Sequence, residues 1–243
     1  MTISVIIPTL NEAHRLPDLL RRLRDDSTEI EIIVVDGGST DGTRDVAATA
    51  GARVIASARG RGQQLHAGAA AATGEILWFL HADTTYPTGG LRRIEEVLSR
   101  DSTAIGGNFR LLFDGQDRFS RWLDGFYQWI RKHGVYYGDS AVFVRRSTYR
   151  DLGGIRPIAL MEDFDFNRRM ETAGRTCCIA DPPLVTSSRR FAGRRPAAIV
   201  WGWLKIHLLF YLGVSPDRLA RLYNSQRRRG TTDATAVSQS KPA

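Results

Sequence analysis

Cysteine is nearly absent from this chain of 243 residues, and the two that occur, Cys177 and Cys178, are adjacent. Neighbouring thiols supply neither a disulfide framework nor a metal-spaced cluster, and a reducing cytoplasm is the expected compartment. No basic segment with an apolar stretch precedes the first strand pattern, Ile3-Ser4-Val5-Ile6-Ile7, so no secretory signal is expected. The turn that follows, Pro8-Thr9-Leu10-Asn11-Glu12, holds no glycine, which speaks against a dinucleotide fold of the dehydrogenase type, where G-x-G-x-x-G belongs. Long apolar runs are missing too, with one marginal exception at residues 197–214, which Lys205 and His207 interrupt. A spanning helix needs about twenty apolar residues, so this segment reads as monotopic or packed on the domain. Arg189, Arg190, Arg194 and Arg195 before it and Arg218 and Arg221 after it are placed to meet anionic headgroups.

Lysine is also scarce, since 31 of the 34 basic side chains are arginine. The net charge of +8 is uneven: residues 1–188 hold 23 basic and 24 acidic side chains, and residues 189–243 hold 11 and 2. A near-neutral body with a basic tail points to a polyanionic partner surface or to simple arginine bias. From Gln226 onward the basic, then Thr/Ser/Ala-rich sequence reads as a disordered tail.

What is present is a rhythm of strand and helix. Leu16, Leu19, Leu20 and Leu23 repeat at helical spacing behind Asn11 and Pro17. The apolar run Ile30–Val35 then breaks at Asp36 into Gly37-Gly38-Ser39-Thr40-Asp41-Gly42. A helix over 43–50, a short strand Arg53-Val54-Ile55, a turn Arg59-Gly60-Arg61-Gly62, a helix over 63–73 and the strand Ile76–Leu80 follow. Such alternation is the pattern of a doubly wound parallel sheet in an α/β domain. Downstream, 91–98 is helical, 104–113 extended, and Phe119, Trp122, Leu123, Phe126 and Ile130 form one apolar helix face that reads as core. Val142-Phe143-Val144 is a further strand, and 162–173 a helix opening on acids, which suits its positive end. The expected division is a catalytic domain over 1–190, apolar and basic helices over 191–226 and the tail over 227–243.

Ligands of open α/β sheets bind beyond the carboxyl ends of the strands, so Asp36 and Asp83 are placed to meet a nucleotide there. Guanidinium groups beside glycine at 59–62 let backbone and side chain approach a diphosphate at a helix N-terminus. Asp139, in Tyr136-Tyr137-Gly138-Asp139-Ser140, suits a sugar or acceptor hydroxyl, with turn formation as the rival account. His66 reads as a satisfied surface histidine.

Four segments in order, Ser4–Glu12, Val35–Thr43, His81-Ala82-Asp83 and Glu162-Asp163, together resemble family 2 glycosyltransferases of the GT-A fold. The resemblance, over residues 3 to about 190, implies a mostly parallel, Rossmann-like sheet flanked by helices. It also implies an inverting transferase that uses a nucleotide-diphosphate sugar and a divalent cation, Mn²⁺ or Mg²⁺. By the same resemblance Pro8, Thr9 and Glu12 line the nucleotide pocket, Asp36 recognises the base, Arg61 lies near base or diphosphate, and Asp83 holds the metal. The resemblance further implies Asp163 as the catalytic base, with Glu162 as neighbour and Asp165 as a lesser contributor.

The chain departs from the pattern at His81, where many relatives carry an acid. Its imidazole is assigned to ribose, diphosphate or the metal shell, or else fills space. Uridine is the favoured nucleoside because Asp36 can accept the N3 hydrogen of uracil, though thymine offers the same donor. The Tyr-Gly-Asp-Ser segment and the short basic C-terminal helix look similar to a bacterial branch assigned to arsenosugar biosynthesis. Expected partners are the donor, a small or lipid-linked acceptor and an anionic membrane surface at the inner face of the cell membrane, with no nucleic acid. The rivals are an inactive binding protein, motivated by His81, and a nucleotidyltransferase, disfavoured by the missing Gly- and Lys-rich phosphate loop.

Overall fold

The computed structural model describes residues 1–26, 29–191 and 195–224. Arg194 and the tail from Gln226 lie outside the described residues, as do the side chains of Arg189 and Arg190. The chain divides into two compact units, one of 1–157 with 162–187, the other of 158–161 with the chain from 188 onward.

In the first unit eight strands form one mixed sheet in the order β3-β2-β1-β4-β7-β6-β8-β5. β1 (Ile3–Thr9), β2 (Ile30–Asp36), β3 (Arg53–Ala56) and β4 (Ile76–Phe79) are mutually parallel, as the largely apolar runs of β1, β2 and β4 predict, with β3 the partly exposed edge strand. β7 (Phe143–Arg145) runs antiparallel to both β4 and β6 (Ala104–Phe113). β8 (Arg175–Thr186) pairs parallel to β6 and antiparallel to the two-residue β5 (Thr84–Thr85). The order 3-2-1-4 reverses direction at β1 and β4, which opens the crevice of a doubly wound sheet beyond those two strand ends.

Helices α1 (Leu16–Asp26), α2 (Thr43–Thr49), α4 (Gly90–Arg100) and α6 (Arg146–Asp151) complete the crossovers. α3 (Arg61–Ala71) begins two residues before the expected Gln63, because Gly60, at φ 146°, sits outside helical space and its carbonyl already accepts from Gln64 N–H. Arg61 thereby becomes a first-turn residue. A Cβ at Gly68 would fall 2.5 Å from Ile6 Cγ2 and 2.8 Å from Val35 Cγ2, so α3 lies directly on β1 and β2. α7 (Glu162–Ala173) contributes Phe166 and Met170 to the same core cluster as Ile6, Val35, Leu65 and Phe79. Two helices on one sheet face thus bring their N-termini to the same edge.

α5 (Arg118–Lys132) starts at Asp117, whose carboxylate accepts from Phe119 and Ser120 N–H. Its aromatic stripe departs from the expected core: Leu123 and Ile130 are buried, but Trp122 is 45% and Trp129 58% exposed. Helical spacing marks a face without saying which flank meets the sheet, and here the flank of Ser120, Leu123 and Ile130 does.

The second unit holds a short 3-10 turn at 188–191, α8 (Pro196–Tyr211) and a helical stretch at 216–224. Ile199 and Ile206 of α8 are buried, while Trp201, Leu204, Leu208 and Tyr211 are exposed. Among the described residues no helix is long and apolar enough to cross a membrane.

Candidate functional site

The crevice has two walls. The first is built by the loops after β1 and β2, which are laced together. Asn11, at φ 56°, accepts from Thr40 N–H at 2.9 Å and donates its own N–H to Ser39 Oγ at 2.9 Å. Glu12 N–H donates to Thr43 Oγ1 and Ala13 N–H to Asp41. Much of both motif segments is therefore scaffolding. Pro8 is half-buried, opposite Val35 in the strand register, and Thr9 lies opposite Asp36. The Glu12 side chain pairs with Arg15 at 3.1 Å.

Asp36 has no exposed surface. Its carboxylate accepts from the N–H groups of Gly38 and Ser39 and from Arg44 Nε at 2.6 Å. Burial alone would raise its pKa, but Ser39, Arg44 and the loop amides outweigh burial and hold it below the usual carboxylate range. Gln64, one turn into α3, donates to the carbonyls of both Thr9 and Val35 at 2.8 Å and so locks the ends of β1 and β2. Neither Gln64 nor Arg44 was legible as a site residue. Gln64 lies on a helix of weak amphipathicity, and Arg44 gains its partner only through the loop geometry.

The second wall is a cluster of charge. Arg61 at the start of α3 pairs with Glu162 through Nε and with Asp163 at 3.3 Å through a terminal nitrogen. Asp163 is further held by Gly138 N–H at 2.8 Å and Phe164 N–H at 2.7 Å. A Cβ at Gly138 would stand 3.1 Å from that carboxylate, so the residue before Asp139 must be small for the grip to close. Burial pushes Asp163 up, yet the Arg61 charge and the two amides prevail and its pKa is lowered. Glu162 moves the other way, raised by burial and by Asp163 against the pull of Arg61. Of this coupled pair, Asp163 keeps its charge to the lower pH.

His81, after the end of β4, has a buried Nε2 with no hydrogen-bond partner. Burial first, then Arg61, depress its pKa against the opposing charges of Asp83, Asp139 and Asp163, and the ring is neutral at physiological pH. Asp83 is exposed two residues on, and Asp139 sits in a 3-10 turn over 138–140. Arg61, His81, Asp83, Asp139, Glu162 and Asp163 are thus brought within one electrostatic neighbourhood, while Pro8, Thr9, Glu12 and Asp36 line the adjoining strand ends. Asp165 is turned aside, paired with Arg156 at 3.0 Å and Arg169 at 2.8 Å. His66 bonds the Ile155 carbonyl at 3.0 Å, in keeping with a satisfied histidine. Among the described residues, no three His, Cys, Asp or Glu side chains meet in a group that could itself hold a metal ion.

The chain is similar to an uncharacterized glycosyltransferase of Nostoc sp., 37% identical over 127 residues that cover 49% of this chain and 39% of that protein. It is 30% identical over 197 residues to a PGL/p-HBAD biosynthesis glycosyltransferase of Mycobacterium bovis, covering 75% of this chain and 72% of the relative. Among solved structures, the mannosyltransferase PcManGT of Pyrobaculum calidifontis, in complex with GDP-Man and Mn²⁺, shares the fold. It superposes with a TM-score of 0.61 at 19% identity over 99% of this chain and 76% of that one. Residues 4–152 match Glycosyl transferase family 2, and the chain belongs to that family.

Proposed function

We propose that the protein transfers a sugar from a nucleoside-diphosphate donor to an acceptor hydroxyl with inversion at the anomeric carbon. The observation that carries this reading is Asp163, ionised, gripped by two backbone amides and set beside Arg61 at the crevice edge. In that role Asp163 takes the acceptor proton as the oxygen attacks the anomeric carbon. The bond to the donor phosphate breaks on the opposite face, and the nucleoside diphosphate leaves with the electron pair. Arg61 faces the diphosphate with α3's N-terminal amides, and Glu12, Pro8 and Thr9 border the nucleoside. Asp36 meets the base through whatever acceptor capacity Gly38, Ser39 and Arg44 leave it. Uridine remains the favoured choice, although PcManGT was solved with a guanosine donor.

The residues fit a divalent cation. Such ions are held by one or two carboxylates together with substrate phosphates, so Asp83 beside the orphaned Nε2 of His81 is an adequate protein share, and no all-protein cage is needed. When bound, the ion neutralises charge that grows on the departing diphosphate. Asp139 is assigned to acceptor or sugar hydroxyls.

The exposed apolar flank of α8 supports peripheral membrane attachment and a lipid-linked acceptor as an alternative to a small one. The arsenosugar assignment rests on the Tyr136–Ser140 segment and the basic helix alone, since neither relative named above carries it. The test is nucleotide release from a panel of nucleotide sugars with Mn²⁺ or Mg²⁺. Asp163→Asn should lower turnover by about 10²–10⁴ while donor binding persists. Donor binding without release in the wild type would favour an inactive binding protein, and pyrophosphate formation from a nucleoside triphosphate and sugar phosphate a nucleotidyltransferase.

A further inference from the structure

The outer face of α5 carries a row of rings that the transfer chemistry does not use. Phe119 and Trp122 stack at 5.6 Å and 12°, Trp122 and Phe126 at 5.0 Å and 10°, Phe126 and Trp129 at 6.1 Å and 29°, and Trp129 abuts His133 at 4.9 Å. Two of these are exposed indoles, in a unit whose other large apolar side chains are, Met1 aside, packed away from solvent.

Charge accompanies the row. At helical spacing Arg118, Arg121 and Lys132 fall on its solvent flank, and all three are exposed. The helix has one acid, Asp124, and that side chain is turned inward, where it accepts from Phe113 N–H at 2.9 Å. The face therefore combines large rings with positive charge and no negative charge. Gly125 lies on the same flank, and a Cβ there would meet nothing, so packing does not ask for glycine at this position.

We propose that this face of α5 is a contact surface for an anionic lipid bilayer. Aromatic rings between acyl and headgroup layers, with arginine and lysine reaching phosphate, are what such a surface needs. A single-stranded nucleic acid or a sugar would stack on free ring faces, but along α5 neighbouring rings already stack on one another. On its inner flank Tyr127 lies 6.0 Å from Tyr137, which in turn stacks on Phe164 beside Asp163. A bilayer seated on α5 stands next to the site loop.

Flotation of the full chain with phosphatidylcholine vesicles, with and without phosphatidylglycerol, tests this. The wild type should float with the anionic vesicles and leave them as salt is raised. Trp122→Ser with Trp129→Ser, and separately Gly125→Glu, should each weaken partitioning by about fivefold or more, and Gly125→Glu, at a position where a Cβ meets nothing, should do so without a fall in melting point. Gly125→Glu keeps every ring, so it isolates the charge requirement. Leu204→Ser with Leu208→Ser on α8 serves as the comparison for that separate face. Unchanged flotation of both α5 variants, loss through the α8 variant alone, or equal binding to neutral vesicles would overturn the proposal.

Discussion

Gln64 spends its amide nitrogen on two main-chain carbonyls that end neighbouring strands, and that makes it the most consequential uncharged side chain near the crevice. Gln64→Leu keeps the volume and removes one donor from each carbonyl, leaving Gly37 N–H on Thr9 and the Thr9 hydroxyl on Val35. Chemical denaturation should show a loss of about 1–3 kcal/mol, and affinity for the nucleotide should weaken because the strand ends shift. Asp163 sits at the same scale. A base whose pKa lies below the usual carboxylate range stays ionised into mild acid, so the acidic limb of the kcat/KM profile should fall below that of an ordinary aspartate. Glu162, with its raised pKa, takes up a proton first as pH drops and leaves Asp163 with Arg61 to itself. A Gly138→Ala variant, which crowds the carboxylate from the amide side, should move that limb upward.

Among the elements, α3 and α5 make opposite statements about glycine. At Gly68 a methyl group collides with Ile6 and Val35, and Gly68→Ala should cost about 1–3 kcal/mol by forcing the helix off the sheet. At Gly125 the same change meets open space and should raise stability by about 1 kcal/mol through helix propensity alone. A pair of melting curves checks both. This contrast also marks what the chain discloses before folding. The Ile30–Val35 run and its break at Asp36 located a strand and its end, and the acids at 162 and 163 located the start of α7. Periodicity on α5 identified an apolar face but assigned it to the core, because ring spacing is the same whichever flank meets the sheet. The ion pairing of Arg61 with Glu162 and Asp163, about a hundred positions away in sequence, was not legible from spacing, although the resemblance assigned all three to one site. It exists because α3 and α7 pack on one face of the sheet, a fact that depends on strand order.

Over the whole molecule, the buried and half-buried carboxylates set the response to acid. Asp36, Glu31 and Asp163 all have folded pKa values below their ordinary ones, so each contributes stability that is complete above the unfolded value of about 4 and is lost as pH falls through the folded value. Glu162 and Asp124 oppose them, since their raised values favour the fold at low pH and give that contribution up as pH rises through them. With the lowered carboxylates in the majority, the midpoint of urea unfolding should decline on acidification below about pH 4 and be nearly flat through neutrality. The guanidinium of Arg61 also spans the first turn of the donor-side helix and the first turn of the helix that bears Asp163. On the proposed function, an incoming diphosphate must recruit that cation away from the carboxylates before an acceptor hydroxyl can claim them. Initial-rate kinetics should accordingly be compulsory-ordered, with sugar nucleotide first, acceptor second, and no measurable acceptor retention by the free enzyme.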